Sequence, residues 1–356
     1  MKVTFPHLGP VLAYKKMFEL FGHEVVMPSP PTQSTLELGV KYSPEFICLP
    51  FKVILGSYLE AITRGAELVV TSGGIGACRA GYFGDLSEKI LRQLGYNTRV
   101  LVFDSFIKEF PEFYRQAREV RNHCSLIRAL SILNLTFHLI YALDQYEKKI
   151  NQLRPYEVVR GASNRKWLEI QKLIGASNSL NELKINIKEA ERIISEIAVA
   201  PRNDLIQVGL VGEIYMVMES AINQEIENKL ADMGVAVTRY RNISHWLKYC
   251  IRPNFPILKK ADRYLHYELG GHERENIGYM IQYKELGYDG IIHLLPFGCM
   301  PELVTQTIIP QLSKDLDIPI LSLSLDEQSG WLNNQVRLEA FVDLLKNRRE
   351  LLSNSN

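Results

Sequence analysis

Short apolar runs alternate with amphipathic stretches in the first and last thirds of the chain, and this alternation constrains the fold more than any other feature. In the first third we predict strands at 3–7, 24–27, 68–71 and 99–103, and helices at 13–21, 51–64 and 86–94. In the last third we predict strands at 206–212, 235–240, 290–295 and 318–323, and a closing helix at 334–347. Short strands separated by helices are typical of βαβ units and mostly parallel sheets.

The middle of the chain has a different character. Residues 109–146 and 180–200 show helical spacing without strand-like alternation. The first of these stretches carries an apolar stripe formed by Leu126, Leu130, Leu133, Phe137 and Ile140. We therefore predict an α/β protein with an N-terminal α/β domain at 1–105, a helical insert at 106–204 and a C-terminal α/β domain at 205–356.

Composition narrows the class of protein. The 356 residues are 46% hydrophobic and carry a formal net charge of +1, so a nucleic-acid surface or a membrane-binding face is not expected. Pro6 and Pro10 interrupt the N-terminus before an apolar signal segment, and no unbroken apolar run has the roughly 18 residues of a membrane span. Five cysteines do not make a disulfide scaffold, so we expect a cytoplasmic protein with reduced thiols.

Three of the cysteines occupy similar positions in the predicted fold. Cys48 in EFICLPFK, Cys78 in GGIGACRAGYFGD and Cys299 in LLPFGCMPE each lie where we predict that a strand passes into a helix. Ligand sites of open α/β sheets collect at the carboxyl ends of strands, and the following helix presents its positive end to a thiolate. Buried structural thiols are the plain alternative. Zinc is disfavoured because no second Cys or His lies a few residues from any of the three.

Residues beside these thiols fit an anionic ligand. Gly76 and Gly298 would let backbone N–H groups approach it, and Lys52 and Arg79 would contribute positive charge unless they simply point into solvent. Glu302, three residues after Cys299, is a candidate proton donor or acceptor, with a helix N-terminal charge as the alternative. Cys124 and Cys250 lie within helical patterns and are expected to pack in the core.

Several motifs together resemble one family. CLPFK, GGIGACRAGYFGD, IQVGLVGEIY, PFGCMPE, LSLSLDEQSG and VRLEAFVDLL are similar to segments of the 2-hydroxyacyl-CoA dehydratase D-component superfamily. The similarity is greater to its branch of proteins associated with CoA-substrate-specific enzyme activases. It extends over nearly the whole chain, and CLPFK and GCMPE in this order are its most specific part.

The resemblance implies two Rossmann-like or flavodoxin-like domains and a [4Fe–4S] cluster held by Cys48, Cys78 and Cys299, with one iron open to a ligand. It also implies a dimer and a partner, an activator ATPase of the actin/Hsp70-like fold, that supplies a low-potential electron to an anaerobic reaction. In relatives that electron turns a CoA thioester into a ketyl radical that loses its hydroxyl. A bridged double cubane that reduces small molecules is the other form in this superfamily. The chain has no GxxxxGK[ST] phosphate loop, so ATP hydrolysis is assigned to the partner.

Three functions remain open on these residues. The first is an oxidoreductase or lyase subunit acting on an acyl-CoA or a small molecule. The second is a non-catalytic electron relay or docking partner of the activator. The third is a ligand-binding Rossmann protein with merely structural thiols. Two further segments, Gly212-Glu213 and Asp326-Glu327-Gln328, follow predicted strands and would either line the same cleft or form structural turns.

Overall fold

The computed structural model describes residues 1–73, 77–103, 110–202, 205–328 and 330–354. The chain is an α/β protein with two four-stranded sheets, and every strand pair in both is parallel. The predicted class of two Rossmann-like or flavodoxin-like units with parallel sheets is confirmed. The first sheet consists of β1 (Lys2–Thr4), β2 (Glu24–Val25), β3 (Leu68–Ser72) and β4 (Arg99–Phe103). The second consists of β5 (Ile206–Gly212), β6 (Val235–Arg239), β7 (Gly290–Pro296) and β8 (Ile320–Leu325).

The two sheets have the same strand order. The first runs β2-β1-β3-β4 and the second β6-β5-β7-β8. In each sheet the second strand lies on one side of the first strand, and the third and fourth strands lie on the other side. The order of strands therefore reverses between β1 and β3 in the first sheet and between β5 and β7 in the second. In open parallel sheets, ligands bind outside the carboxyl ends of the strands at such a switch point. The loops after β3 and β7 are therefore equivalent positions in the two sheets.

Helices cover both sheets and link them. Those of the first half are α1 (Val11–Leu20), α2 (Gln33–Tyr42), α3 (Leu49–Thr63), α4 (Phe83–Gln93), α5 (Phe110–Arg121), α6 (Leu126–Leu153), α7 (Ala162–Gly175) and α8 (Leu180–Ser195). Those of the second half are α9 (Ile214–Met218), α10 (Ile226–Asp232), α11 (Ile243–Ile251), α12 (Phe255–Ala261), α13 (Glu273–Glu285), α14 (Met300–Leu316) and α15 (Trp331–Asn354).

Helix α3 joins the two α/β units. Its residues Leu49 and Val53 pack in the core of the second sheet, whereas Phe51 and Leu55 pack in a core that includes Val69 of β3. A helix that is apolar on all sides is buried on all sides. The first turn of α3 is therefore fixed against both halves of the molecule.

The helical insert differs from the prediction in two respects. The stretch predicted as one helix at 109–146 is two helices, α5 and α6, separated at Asn122, whose φ is +57°; Glu109 lies outside the described residues. The predicted stripe of α6 does not pack inward, because Leu126, Leu130, Leu133 and Phe137 are exposed and only Ile140 is buried. The core-facing side of α6 is formed by other residues, among them Ile132, Leu135, Leu139 and Leu143.

The segment Leu126–Tyr156 is long and apolar enough, by length and composition, to cross a membrane. It is not an unbroken apolar run, since it contains Arg128. Close to half of its most apolar window is buried in the protein. Burial of this kind is also found in core helices of soluble proteins, so the segment gives only weak support for a span.

A buried carboxyl connects α6 to the second sheet. Asp144 accepts a hydrogen bond of 2.6 Å from the backbone N–H of Ser244 at the start of α11. Burial, reinforced by the charge of Glu147, raises the pKa of Asp144 from 3.8 to about 7. The folded protein thus binds a proton at Asp144 at pH values where the unfolded chain has released it.

We expect this carboxyl to make the folded state less stable as pH rises. A raised pKa favours folding below the unfolded value of 3.8, and the advantage is lost as pH rises towards about 7. Asp144→Asn keeps an acceptor oxygen and does not titrate, so at pH 8 it should be more stable than wild type by about 2–4 kcal/mol. Urea unfolding at pH 5, 6.5 and 8 measures the difference. Equal pH slopes in both proteins would contradict the assignment.

Candidate metal centre

All three predicted thiols occupy N-cap positions. Cys48 caps α3, Cys299 caps α14, and Cys78 caps a single 3₁₀ turn, Arg79–Tyr82, that leads into α4. The prediction that a strand precedes each thiol is wrong for Cys48. The EFIC segment follows α2 as a turn, because two consecutive helices, α2 and α3, lie between β2 and β3. At an N-cap, a thiolate would face free backbone N–H groups and the positive end of a helix.

Cys78 and Cys299 occupy equivalent places in the two sheets. Cys299 follows β7 directly, and Cys78 follows β3 across a loop of which Gly74, Ile75 and Gly76 lie outside the described residues. The predicted role of Gly76 falls in that gap and stays a prediction. The backbone N–H of Ala77 donates to the carbonyl of Leu269 at 2.9 Å, which fixes the Cys78 loop against the second half of the chain.

One guanidinium holds the three thiol segments together. Arg79, next to Cys78, donates to the carbonyl of Phe46 at 2.5 Å and to the carbonyl of Gly298. Phe46 lies two residues before Cys48, and Gly298 directly precedes Cys299. Gly298 has a φ of +72°, which suits glycine and lets its carbonyl meet the guanidinium. The alternative that Arg79 simply points into solvent is wrong.

The thiols are close enough to influence one another's ionisation. Burial, with smaller contributions from the charges of Glu213 and Cys78 and an opposing one from Arg79, raises the pKa of Cys48 to about 12. The pKa of Cys299 is raised well above its usual range, mainly by burial and then by Glu302, with a smaller effect from Cys48. Burial also raises the pKa of Cys78. The metal-free thiols are thus protonated at neutral pH, and a metal centre would release those protons on binding.

Lys52 is buried in the first turn of α3 and has an anionic partner. Its side chain is 3% exposed and its ammonium forms an ion pair with Glu327, which follows β8. The solvent-facing alternative is therefore wrong. A cation in the first turn of a helix is unfavourable, and the carboxylate of Glu327 offsets that cost. The pair also ties α3 to the carboxyl edge of the second sheet. Asp326 in the same segment forms a local turn by accepting from the N–H of Gln328 at 2.9 Å.

Glu302 is fully buried in a polar network behind Cys299. Its carboxylate accepts from the Nδ2 of Asn276 at 2.9 Å and meets the Nε2 of His293 at 2.8 Å. The other ring nitrogen of His293 lies 2.8 Å from the hydroxyl of Ser322. A carboxyl–imidazole pair can hold a proton on either partner. Glu302 lies in the first turn of α14 and also contacts an imidazole. The structure is therefore compatible with both predicted roles, a helix N-terminal charge and a proton donor or acceptor.

Glu213, for which the sequence left a cleft-lining role and a structural turn open, lies close enough to the thiols to affect their ionisation. It caps α9 by accepting from the N–H of Met216 at 3.0 Å, and burial raises its pKa to about 7. Its charge raises the pKa of all three thiols. Gly212 precedes it with a φ of +144°, and a Cβ there would lie 1.9 Å from the carbonyl oxygen of Leu294. The GLVGE motif is therefore both a structural turn and part of the site.

Other members of the network carried a weaker signal. His293 stands inside the apolar strand IIHLLP, where a titratable residue is unusual and marks a polar site. Asn276 has no comparable signal, since it lies in a polar helical stretch and only the fold brings it to Glu302.

Of the other two cysteines, Cys250 is exposed, so its predicted core packing is wrong. Cys124 is half-buried between α5 and α6.

Three thiols are the donors that this site offers to a metal centre. Within the described ranges, no three His, Cys, Asp or Glu side chains are grouped so that they could hold one metal ion. In a [4Fe–4S] cluster each thiolate binds a different iron, so its ligands stand further apart than those of one ion. The three N-cap thiols would serve three irons of such a cluster and leave the fourth iron without a cysteine.

Fold and site together define a class: an α/β protein of two equivalent parallel-sheet units that bring three thiols to one place beside their carboxyl edges. The chain matches no protein-family model and no curated protein.

We expect Arg79→Met to loosen the thiol segments without unfolding the protein. Hydrogen bonds from a charged donor contribute about 1.5–3 kcal/mol each, so amide exchange in peptides around Cys48 and Cys299 should accelerate roughly tenfold or more. Hydrogen exchange with mass spectrometry measures this in the metal-free protein. Arg92→Met is the control, since Arg92 pairs with Glu88 on the surface of α4. Equal protection in both variants would show that Arg79 does not join the loops.

Proposed function

We propose that the chain binds a [4Fe–4S]-type cluster through Cys48, Cys78 and Cys299 and serves in ATP-coupled, low-potential reduction or radical dehydration of an acyl-CoA or a small molecule. The observation that carries the proposal is the contact of Arg79 with Phe46 and Gly298, which joins the three thiol-bearing segments at one place. Thiols that served only local packing would not need segments from three separate parts of the chain to be tied by one charged side chain.

The residues around the thiols suit a redox centre. Helix N-termini and Arg79 offset negative charge, and hydrogen bonds and local charge are the main means by which a protein sets a cluster's potential. When bound, the cluster would supply single electrons and one open iron for an oxygen-bearing ligand. The Glu302–His293 pair lies on the Cys299 side and can hold the proton that a departing hydroxyl needs. Glu213, with a pKa of about 7, is a second proton carrier near neutral pH.

The rim of the site reaches solvent. Phe46, Tyr82 and Phe297, each within four residues of a thiol, are exposed, with Phe46 81% accessible. A buried centre with an accessible apolar rim suits contact with an electron-donating protein, and we assign that role to an activator ATPase. The chain itself has no phosphate-loop motif.

Anaerobic reconstitution with iron and sulfide tests the proposal. We expect about four irons and four sulfides per chain, or a higher ratio for a bridged double cubane, and an EPR signal on reduction. The reduced protein is then mixed with panels of acyl-CoA thioesters and of small oxidised molecules. Reoxidation with product formation supports an enzyme. Iron content near zero under these conditions would refute the cluster.

An electron relay is the second candidate, favoured by the same exposed rim. It predicts a stable cluster that is reoxidised by protein acceptors and by none of the small substrates. Product analysis separates the two functions, because only the enzyme converts a substrate.

A further inference from the structure

Helix α6 has two apolar faces, and one of them is uncovered. Its inner face packs in the cores of the protein. Its outer face exposes six large apolar side chains within its first 16 residues: Leu126, Ile127, Leu130, Leu133, Phe137 and Tyr141. Ile127 is 84% and Leu130 67% accessible. Contiguous apolar patches of this kind on soluble proteins mark interaction sites.

The spacing on the outer face is that of a helix-pairing seam. Ile127, Leu130, Asn134, Phe137 and Tyr141 follow one another at alternating steps of three and four residues. This is the repeat that keeps one stripe of a helix against a partner helix, and here it extends over about 21 Å. Lys248 of α11 lies 4.8 Å from the ring centroid of Tyr141 and bounds the seam at its carboxyl end.

The polar residue in the middle of the seam, Asn134, can pair with the same residue of a second copy. Asn134 is exposed between Leu130 and Phe137. A side-chain amide both donates and accepts, so it can pair with the same group across a two-fold axis. A single Asn at such a position fixes register and oligomeric state in paired helices.

Charge favours a protein partner over a lipid surface. Arg128 is the one charged residue between 126 and 141, whereas helices that bind membrane interfaces are rich in Lys and Arg on their polar side. The formal net charge of +1 causes little repulsion between two copies. The six exposed side chains, at roughly 100 Å² each, supply most of the roughly 800 Å² per partner that a standard interface buries.

We infer that the outer face of α6 is the interface of a homodimer, in which the α6 helices of two copies pack across a two-fold axis beside Asn134. The inference stands on α6 alone and does not depend on the metal centre. The two copies would each bury the seam that is exposed in the single chain.

Analytical ultracentrifugation of the full chain tests the interface. Wild type should sediment at twice the 40.8 kDa chain mass in the low micromolar range. Leu130→Glu combined with Phe137→Glu should weaken association at least 100-fold, with unchanged circular dichroism because both side chains are exposed. Ile185→Glu, at an exposed apolar residue of α8 that is not part of the seam, is the control and should remain dimeric.

A cross-link tests the two-fold axis independently of stability. Asn134→Cys should form a covalent dimer under mild oxidation at least tenfold faster than wild type or Ile185→Cys. A wild-type protein that stays monomeric at 100 µM overturns the inference, as does a dimer that resists the double substitution. A monomer that instead cosediments with phosphatidylcholine–phosphatidylglycerol vesicles would overturn it in favour of a lipid surface.

Discussion

Serine in place of Cys48, Cys78 or Cys299 should reduce reconstituted iron from about four to below one per chain in each single variant. Each cysteine would supply one of three protein ligands, and a serine hydroxyl is a poor ligand for this iron because it stays protonated at neutral pH. The three thiol segments are joined at one place by Arg79, and we expect two remaining thiolates to be too few to retain a cluster. Iron and sulfide analysis with visible absorption near 400 nm measures the effect.

Cys250→Ser is the matched control, because that thiol is exposed on α11 and belongs to no thiol segment described above. It should retain the wild-type iron content. Unchanged iron in all three site variants would refute the cluster and favour structural thiols in a ligand-binding Rossmann protein. Hydrogen exchange of the metal-free variants guards against simple misfolding, since Cys48 and Cys299 are buried and a hydroxyl there costs about 1–3 kcal/mol if it finds no partner.

Gly39→Ala should be among the most destabilising single substitutions in the chain. A Cβ at Gly39 would lie 1.7 Å from the backbone oxygen of Lys52, and one at Gly56 would lie 1.9 Å from the backbone oxygen of Thr35. Helices α2 and α3 therefore touch backbone to backbone, and an added methyl must push them apart. Backbone shifts forced by added atoms typically cost about 1–3 kcal/mol and occasionally more, and we expect this backbone clash to lie at the upper end of that range.

The same substitution should also disturb the thiol site, because Lys52 lies four residues after Cys48 in the first turn of α3. Urea unfolding gives the free energy change, and iron retention under a chelator gives the effect on the site. Gly330→Ala is the control: a Cβ there meets no atom within 4 Å, so the free energy of unfolding should change by less than about 0.5 kcal/mol. Comparable stability of the two variants would contradict the close helix contact.

Prediction from sequence succeeded where a pattern is local. The eight strands follow from short apolar runs bounded by turns, and their observed bounds differ from the predicted ones by three residues at most. Pro301 at the start of α14 marks a helix beginning after Cys299, as expected for a residue that has no N–H to satisfy. The wrong predictions also have physical reasons. EFIC is apolar like a strand, but it lies between α2 and α3, where no neighbouring strand is available to pair with it.

The direction in which side chains point could not be inferred from periodicity. On α6 the predicted stripe and the core-facing residues are both apolar, so spacing alone could not tell the inner face from the outer one. Lys52 and Arg79 were equally ambiguous, because a cation near a helix start can face solvent or a buried partner. Their partners, Glu327, Phe46 and Gly298, come from distant parts of the chain.

The sequence by itself determined the class of fold and the helix starts at which Cys48, Cys78 and Cys299 lie, since strand and helix patterns and the residues at their ends depend on neighbours in the chain. Only the tertiary structure decided that Arg79 joins the thiol segments, that Glu302 pairs with His293, and that α6 presents an apolar face outward. Those facts depend on contacts between residues up to hundreds of positions apart. Such contacts are fixed by how the two sheets and α3 pack, and no local pattern encodes that packing.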